Sequence, residues 1–331
     1  MNLNNERKIN EQRSYSIDLV KGVLIILVII GHVLLGSIES NSIKGFIYSF
    51  HMPVFIAVSG YLLNYRWLLD VGFKQVFIKY KNRIIIPWMI ALFVYFLFHQ
   101  VQRDQAQFID DILREMLFPF YHLWFIPGFI SWLLMVRYLG RSKLLMSNIF
   151  IISLLLSLVT YIFVKNIFSL SFIHSENMLI RFIHETIRPY YFVFFVLGIC
   201  IKEIKSRFET IRLYNILIVS LVTYIVCVAT SDRIAIAIFY YLFNLTLITF
   251  VLVKAARDSF PSARWIEWLG VNSMGVYLWH VFPIIIIKYY FVFDNIILYY
   301  ILNLISLSSF FIMYYFLNRF EISRRLLFGL N

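Results

Sequence analysis

Charge is scarce in this chain: 15% of its 331 residues are Asp, Glu, Lys or Arg, while 61% are hydrophobic. Soluble domains carry about 25% charged and about 45–50% apolar residues. A water-soluble chain of this length cannot hide that much apolar surface in one or two cores. Disordered, collagen-like and coiled-coil classes fail on the same numbers. Cysteine is nearly absent. Cys200 and Cys227 both fall in apolar runs, so a disulfide framework has no support and small apolar packing roles are expected. The chain has no internal repeat, no polar stretch long enough for a separate soluble domain, and no Walker A, GxGxxG, HExxH, CxxC or GxSxG pattern. ATP-driven, dinucleotide, zinc-protease and serine-esterase chemistry therefore lack their motifs. What remains is an all-α polytopic membrane protein.

A bilayer core about 30 Å thick needs about 20 mostly apolar residues per helix. That ruler predicts about ten transmembrane helices, at 16–35, 43–63, 84–101, 120–139, 146–164, 189–201, 214–230, 234–253, 271–291 and 296–317. The sixth is short. Residues 1–15 are polar, unlike a cleaved signal peptide, and are expected to form a cytoplasmic tail. The membrane domain is expected over 16–317 and a second cytoplasmic tail over 318–331. The longest connections fall near 64–83, 102–119, 165–188 and 254–270. Basic residues decide the orientation. With both termini inside, 21 of the 30 Lys and Arg residues lie on the cytoplasmic side and 8 outside, while Lys21 falls within the first span. Acidic residues divide evenly, so the bias is specific to Lys and Arg, as the positive-inside rule expects. The net charge of +12 thus reads as topology and contact with membrane lipids; no nucleic-acid partner is expected.

Ionisable residues inside a bilayer cost several kcal/mol and are functional candidates by default. The first span, SIDLVKGVLIILVIIGHVLLG, carries three. Asp18 and Lys21 are spaced to pair. Lys21 and His32 are eleven residues apart, which puts them on one helix face and about 16 Å apart along the axis. A snorkelling lysine and a histidine bonded to a neighbouring helix would give the same spacing. The second span carries FHMPVFIAVSGYLL, placing His51 at a depth similar to His32. Pro53 there should free a carbonyl, and Ser59-Gly60 should allow close helix approach. His122 opens the fourth span and His280 lies within the ninth; His99, His174 and His184 fall toward the outer side. Before the third span, KQVFIKYKNRIIIPW sets Lys74, Lys79, Lys81 and Arg83 at the inner surface. Anionic headgroups or a phosphate-bearing ligand could meet them. The many aromatic residues are expected mostly against lipid and at the interfaces.

Five segments in order, IDLVKGVLIILVIIGH, FHMPVFIAVSGYLL, KNRIIIPW, HLWFIPGF and SMGVYLWHVFP, resemble the acyltransferase 3 family of membrane-bound, bacterial surface-glycan O-acyltransferases. FHMP followed by SGYL resembles the branch related to fucose 4-O-acetylases. The resemblance implies that His32, which closes the family's basic-x10-His motif, is essential for acyl transfer. The basic partner, often Arg, is here Lys21, which supplies charge without a bidentate fork. The family's Arg-x-x-Arg before the third span would meet the donor's phosphates. Here it reads Tyr80-Lys81-Asn82-Arg83, so Lys79 or Lys81 must stand in for its first arginine. The larger fused members carry an extra extracytoplasmic hydrolase-like domain, which this chain is expected to lack.

Acyl transfer from a thioester to a sugar hydroxyl needs a base and stabilisation of the tetrahedral oxyanion. On this reading His32 is the base, or a transient acyl carrier, and His51 orients it or contacts the acceptor. Asp18 and Lys21 hold the inner end of the same face. Arg83, Lys81 and Lys79 bind CoA phosphates, and His122, Trp124, Ser273, Tyr277 and His280 form the cavity wall. Acetyl-CoA is the implied donor and co-substrate, a glycan or lipid-linked sugar the acceptor; no metal is expected. The bacterial cytoplasmic membrane is the expected location. A transporter or flippase of lipid-linked glycan is the alternative; such proteins commonly show repeated halves and paired broken helices.

Overall fold

The structure, a computed structural model, describes residues 15–102, 108–163, 178–204, 213–257, 260–291 and 295–330. The N-terminal tail with Arg7, Lys8 and Arg13 lies outside the described residues, as do Arg103, Lys165, His174, Lys205, Arg207 and Arg212. Every regular element among the described residues is helical. In chain order they are α1 (Tyr15–Val33), α2 (Ser42–Leu62), α3 (Tyr65–Asp70), α4 (Phe73–Tyr80), α5 (Ile86–Gln102), α6 (Phe108–Leu117), α7 (Phe125–Arg141), α8 (Met146–Ile162), α9 (Met178–Phe182), α10 (Phe192–Glu203), α11 (Leu213–Ala229), α12 (Arg233–Ala256), α13 (Arg264–Val271), α14 (Ser273–Trp279), α15 (Val281–Tyr290), α16 (Ile296–Leu317) and α17 (Glu321–Phe328). Five helices are long and apolar enough to cross a membrane: α1, α2, the run Phe73–Gln100, α12 and α16. The pair Arg264–Val271 and Ser273–Tyr290, bent by 71°, makes a sixth if taken as one span. Shorter helices, α7, α8, α10 and α11, occupy the other four expected segments. The outward faces are apolar: Ile218, Val222 and Ile225 on α11, and Ile301, Leu304 and Ile312 on α16, are exposed. Such surfaces are lipid-facing in a multi-pass membrane protein.

The bundle is built around α10. Its twelve residues are too few to span alone, yet Phe192, Val193, Phe194, Phe195, Val196 and Ile199 have no exposed surface at all. Small residues bring α2 against it: an added Cβ on Gly198 would stand 1.9 Å from the Ala57 carbonyl oxygen, and one on Gly60 2.0 Å from that of Phe195. Without a hydrophobic driving force inside lipid, such backbone-to-backbone approach is what joins membrane helices. The α1–α13 crossing uses the same device, through Gly22 against Ile266 and Gly270 against Asp18. Pro53 sits inside α2 and cannot donate to the Ser49 carbonyl one turn back; Asn244 of α12 donates to it instead, at 3.1 Å. The expected Asp18–Lys21 pair forms at 2.8 Å.

The structure adds detail to several of these expectations. The connections at 64–83, 102–119 and 254–270 contain the helices α3, α4, α6 and α13. The C-terminal segment also contains a helix, α17, docked on the bundle with Phe328 buried. Residues 118–124 form a turn, so α7 starts at Phe125, five residues later than expected. Some aromatic rings also face inward, beyond those expected against lipid: Tyr95, Trp132, Phe194, Phe195 and Tyr314 are fully buried. Lipid is as apolar as the side chains, so hydropathy does not assign rings to an outer face; close packing between helices does.

Candidate active site

Two cavities lie toward opposite ends of α1. The first, about 530 Å³, holds His32 near the C-terminus of α1; Lys44, Tyr48 and His51 line it from α2, and Tyr121, His122, Trp124, Arg188, Tyr191 and Tyr277 from elsewhere. The second, about 240 Å³, holds Lys21 near the N-terminus of α1, with Ser59, Lys79, Tyr80, Arg83, Ser273 and Tyr277. Tyr277 lines both. Its ring packs against Phe125 at 5.6 Å and Phe55 at 6.4 Å, and both of those rings line the second cavity. Its hydroxyl donates to the His122 carbonyl. Tyr277, with Phe55 and Phe125 packed against it, therefore forms an aromatic layer where the two cavities adjoin.

Backbone caps hold His32 in place. The last carbonyls of a helix have no partner within it. Here Lys288 donates to His32 O at 2.9 Å, Tyr299 to Val33 O at 2.8 Å, Asn41 to Leu35 O at 3.0 Å, and Lys44 to Leu34 O and Gly36 O at 3.1 and 2.8 Å. Cations at a helix C-terminus also complement its dipole.

Around His32 the imidazoles converge. Its ring centroid lies 5.2 Å from that of His280 and 6.2 Å from that of His122, which are 5.2 Å from each other. A carbonyl can only accept, so its partner nitrogen carries the hydrogen. His51 donates from Nδ1 to Ile47 O at 2.7 Å, His280 from Nδ1 to Tyr277 O at 2.9 Å, and His122 from Nε2 to Leu278 O at 3.2 Å. The other nitrogen of His280 (Nε2) and of His122 (Nδ1) is buried with no hydrogen-bond partner among the described residues. His32 Nδ1 meets the Tyr48 hydroxyl at 3.3 Å, and the Tyr48 ring in turn packs edge-on against His51 at 4.9 Å. His51 thus reaches His32 through Tyr48.

In the second cavity, Arg83 projects from a π turn, Lys81–Ile85, between α4 and α5. Such turns recur at functional sites. Pro87 removes the donor that would serve the Arg83 carbonyl. Gly329, with φ +65°, approaches so closely that an added Cβ would lie 1.9 Å from that oxygen. The Lys79 ammonium lies over the Trp67 ring at 3.7 Å.

Of the residues singled out from sequence, the first cavity gathers His32, His51, His122 and Trp124, with His280 packed directly behind. Lys21, Lys79, Arg83 and Ser273 line the second cavity, and Tyr277 lines both. Asp18 is buried in its pair with Lys21, and Lys81 is exposed on the π turn, outside the lining. His99 packs on Phe120 at 4.3 Å, and neither it nor His184 lines either cavity. Tyr48, Tyr121, Arg188 and Tyr191 were not foreseen. Tyr48 alone left a signal, three residues before His51 on the same helix face. Among the described residues no three His, Cys, Asp or Glu side chains are placed to hold a metal ion.

An apolar helical bundle with imidazoles and cations lining its interior is a multi-pass membrane protein with an internal polar site. The chain belongs to the acyltransferase 3 family, whose acyltransferase domain matches residues 14–317. It is 32% identical over 127 residues to nodulation protein NolL of Sinorhizobium fredii, covering 34% of this chain and 33% of that one. It is 31% identical over 137 residues to nodulation protein NolL of Mesorhizobium japonicum, covering 37% and 35%. An amino-acid racemase of Enterococcus faecalis is 25% identical over 177 residues, covering 50% of this chain and 24% of that protein. The chain thus spans about a third or less of the length of the curated relatives it matches. No solved structure matches it.

Proposed function

We propose that this chain moves an acyl group, acetyl in the simplest case, from acyl-CoA to a sugar hydroxyl of a cell-surface or lipid-linked glycan. The observation carrying this reading is the pair of cavities meeting at Tyr277, one lined by Lys79 and Arg83 and the other by the imidazoles of His32, His51 and His122. Arg83 and Lys79 suit the phosphates of CoA, for which a charge-assisted contact is favoured. The pantetheine arm then passes Tyr277 so that the thioester reaches His32, and the acceptor hydroxyl enters from the other side of the His32 cavity. His32 takes the hydroxyl proton as the alkoxide oxygen bonds to the thioester carbonyl carbon. The Tyr121 hydroxyl, on a ring 5.0 Å from His32, stands ready to donate to the oxyanion. Collapse breaks the C–S bond, and the CoA thiolate recovers the proton from His32. Tyr48 holds the His32 ring for this exchange.

In this reading ten helices cross the bacterial cytoplasmic membrane with both termini inside. The second cavity then faces the cytoplasm, where CoA thioesters are made, and the first faces outward. The test is CoA thiol release by the purified chain supplied with acetyl-CoA and isolated surface glycan, in wild type and His32→Ala. The expected result is glycan-dependent release that His32→Ala reduces by about a thousandfold or more, in keeping with removal of a catalytic base. Undiminished release by the folded variant refutes the role of His32. Glycan movement across vesicles without any CoA release would favour a transporter.

A further inference from the structure

Arg188 is left over from the mechanism, and its setting is unusual. It ends a second π turn, Ile183–Ile187, in the left-handed region with φ 49° and ψ 61°. That conformation costs a non-glycine residue about 1 kcal/mol or more, and Pro189 bars the right-handed helical alternative. The strained backbone delivers the side chain to the wall of the His32 cavity. There its guanidinium lies 3.8 Å over the Trp124 ring, which itself stacks on Tyr191 at 5.7 Å. Of five guanidinium N–H groups, Nε serves Glu185 O at 2.9 Å and another serves the Tyr190 hydroxyl. The others meet no hydrogen-bond acceptor among the described residues. No ion pair among the described residues engages Arg188, and the nearby Glu185 carboxylate is taken by Arg181 at 3.0 Å. Lys44 adds a second positive charge to the same wall, while the acid lining the cavity, Glu39, stands exposed at its rim.

Resting on the acyl-transfer reading, we infer that the acceptor is an anionic sugar, whose carboxylate or phosphate is bound by Arg188 while its hydroxyl faces His32. A stacked, partly desolvated guanidinium with free N–H groups is matched to the planar or tetrahedral oxygens of such a group. Both a uronic-acid carboxylate and a sugar phosphate supply that chemistry.

The test measures binding of glucose, glucuronate and glucose 1-phosphate to the full chain in nanodiscs by calorimetry, in wild type, Arg188→Gln and Arg188→Lys. The expected result is at least one anionic sugar binding roughly tenfold or more tighter than glucose, as one charge-assisted hydrogen-bond set provides. That preference should vanish in Arg188→Gln and survive in part in Arg188→Lys. The tighter of the two anionic probes identifies carboxylate or phosphate as the source. Indistinguishable affinities for the three sugars in wild type, or an unchanged preference in Arg188→Gln, overturn the inference. If Arg188→Gln does not fold, an unchanged preference on raising the salt tenfold overturns it equally, since screening weakens a charge contact. CoA release run alongside separates the failures. A chain that prefers the anionic sugar yet releases no CoA keeps this site and loses the acyl-transfer reading. One that acylates neutral and anionic acceptors equally keeps the reading and loses the site.

Discussion

Gly198→Ala is expected to destabilise the bundle where α2 crosses α10, and the structure sets the size of the effect. The new methyl would stand 1.9 Å from the Ala57 carbonyl oxygen and 2.7 Å from the Tyr61 nitrogen, where ordinary contact begins at 3.4 Å. Both obstacles are backbone, so no rotamer change relieves them; the helices must separate by about 1.5 Å. A gap of about 0.5–1 Å already forfeits a quarter to a half of a van der Waals contact, and α10 is packed along most of its length. Overpacking typically costs about 1–3 kcal/mol, occasionally more, and replacing Gly by Ala in a helix returns about 1 kcal/mol. With a clash at the severe end of that range, a net loss of up to about 2 kcal/mol is expected. Gly128→Ala is the control. Its methyl would lie 3.2 Å from a Trp132 ring carbon, so the clash and the helix gain should cancel to within about 1 kcal/mol. Cys200 and Cys227, free and half-buried, allow the melt to be followed with a thiol-reactive fluorophore in detergent. Gly198→Ala melting with wild type, or with Gly128→Ala, would refute the crossing geometry.

Two further outcomes concern the site. Tyr48→Phe removes the hydroxyl that meets His32 Nδ1 and should lower kcat about 3- to 10-fold, the value of one hydrogen bond, leaving the acyl-CoA KM unchanged; steady-state CoA release at varied donor concentration checks this. Arg83→Gln should raise the acyl-CoA KM about tenfold while Lys81→Gln leaves it within about twofold, because Lys81 lies outside the cavity lining; equal effects of the two would remove Arg83 from the donor site.

What the sequence made legible was local. The Lys21 and His32 spacing, the Asp18–Lys21 pair and the Ser59-Gly60 approach all follow from helix periodicity, which acts over a few turns. The meeting of His32 with His122 and His280 depends on residues 90 and 248 positions away, and no periodicity carries that far. Arg188 and Tyr121 owe their place to left-handed backbone just before or at the start of apolar runs, which hydropathy does not reveal. Short helices such as α13 were missed because eight residues fall below any membrane ruler, although Gly270 packs as tightly as any glycine in the bundle.

The aromatic layer at Tyr277 has an electrical consequence. If the two cavities face opposite sides of an energised membrane, nearly the whole potential, about 2.3 kcal/mol per unit charge for each 100 mV, falls across Phe55, Phe125 and Tyr277. That one aromatic layer then does the insulating work that elsewhere takes a full span of hydrocarbon. An acyl group is neutral and crosses that field without electrical work, whereas CoA with its phosphates cannot. On the proposed acyl-CoA reading, the layer would sort the two halves of the thioester by charge as well as by size.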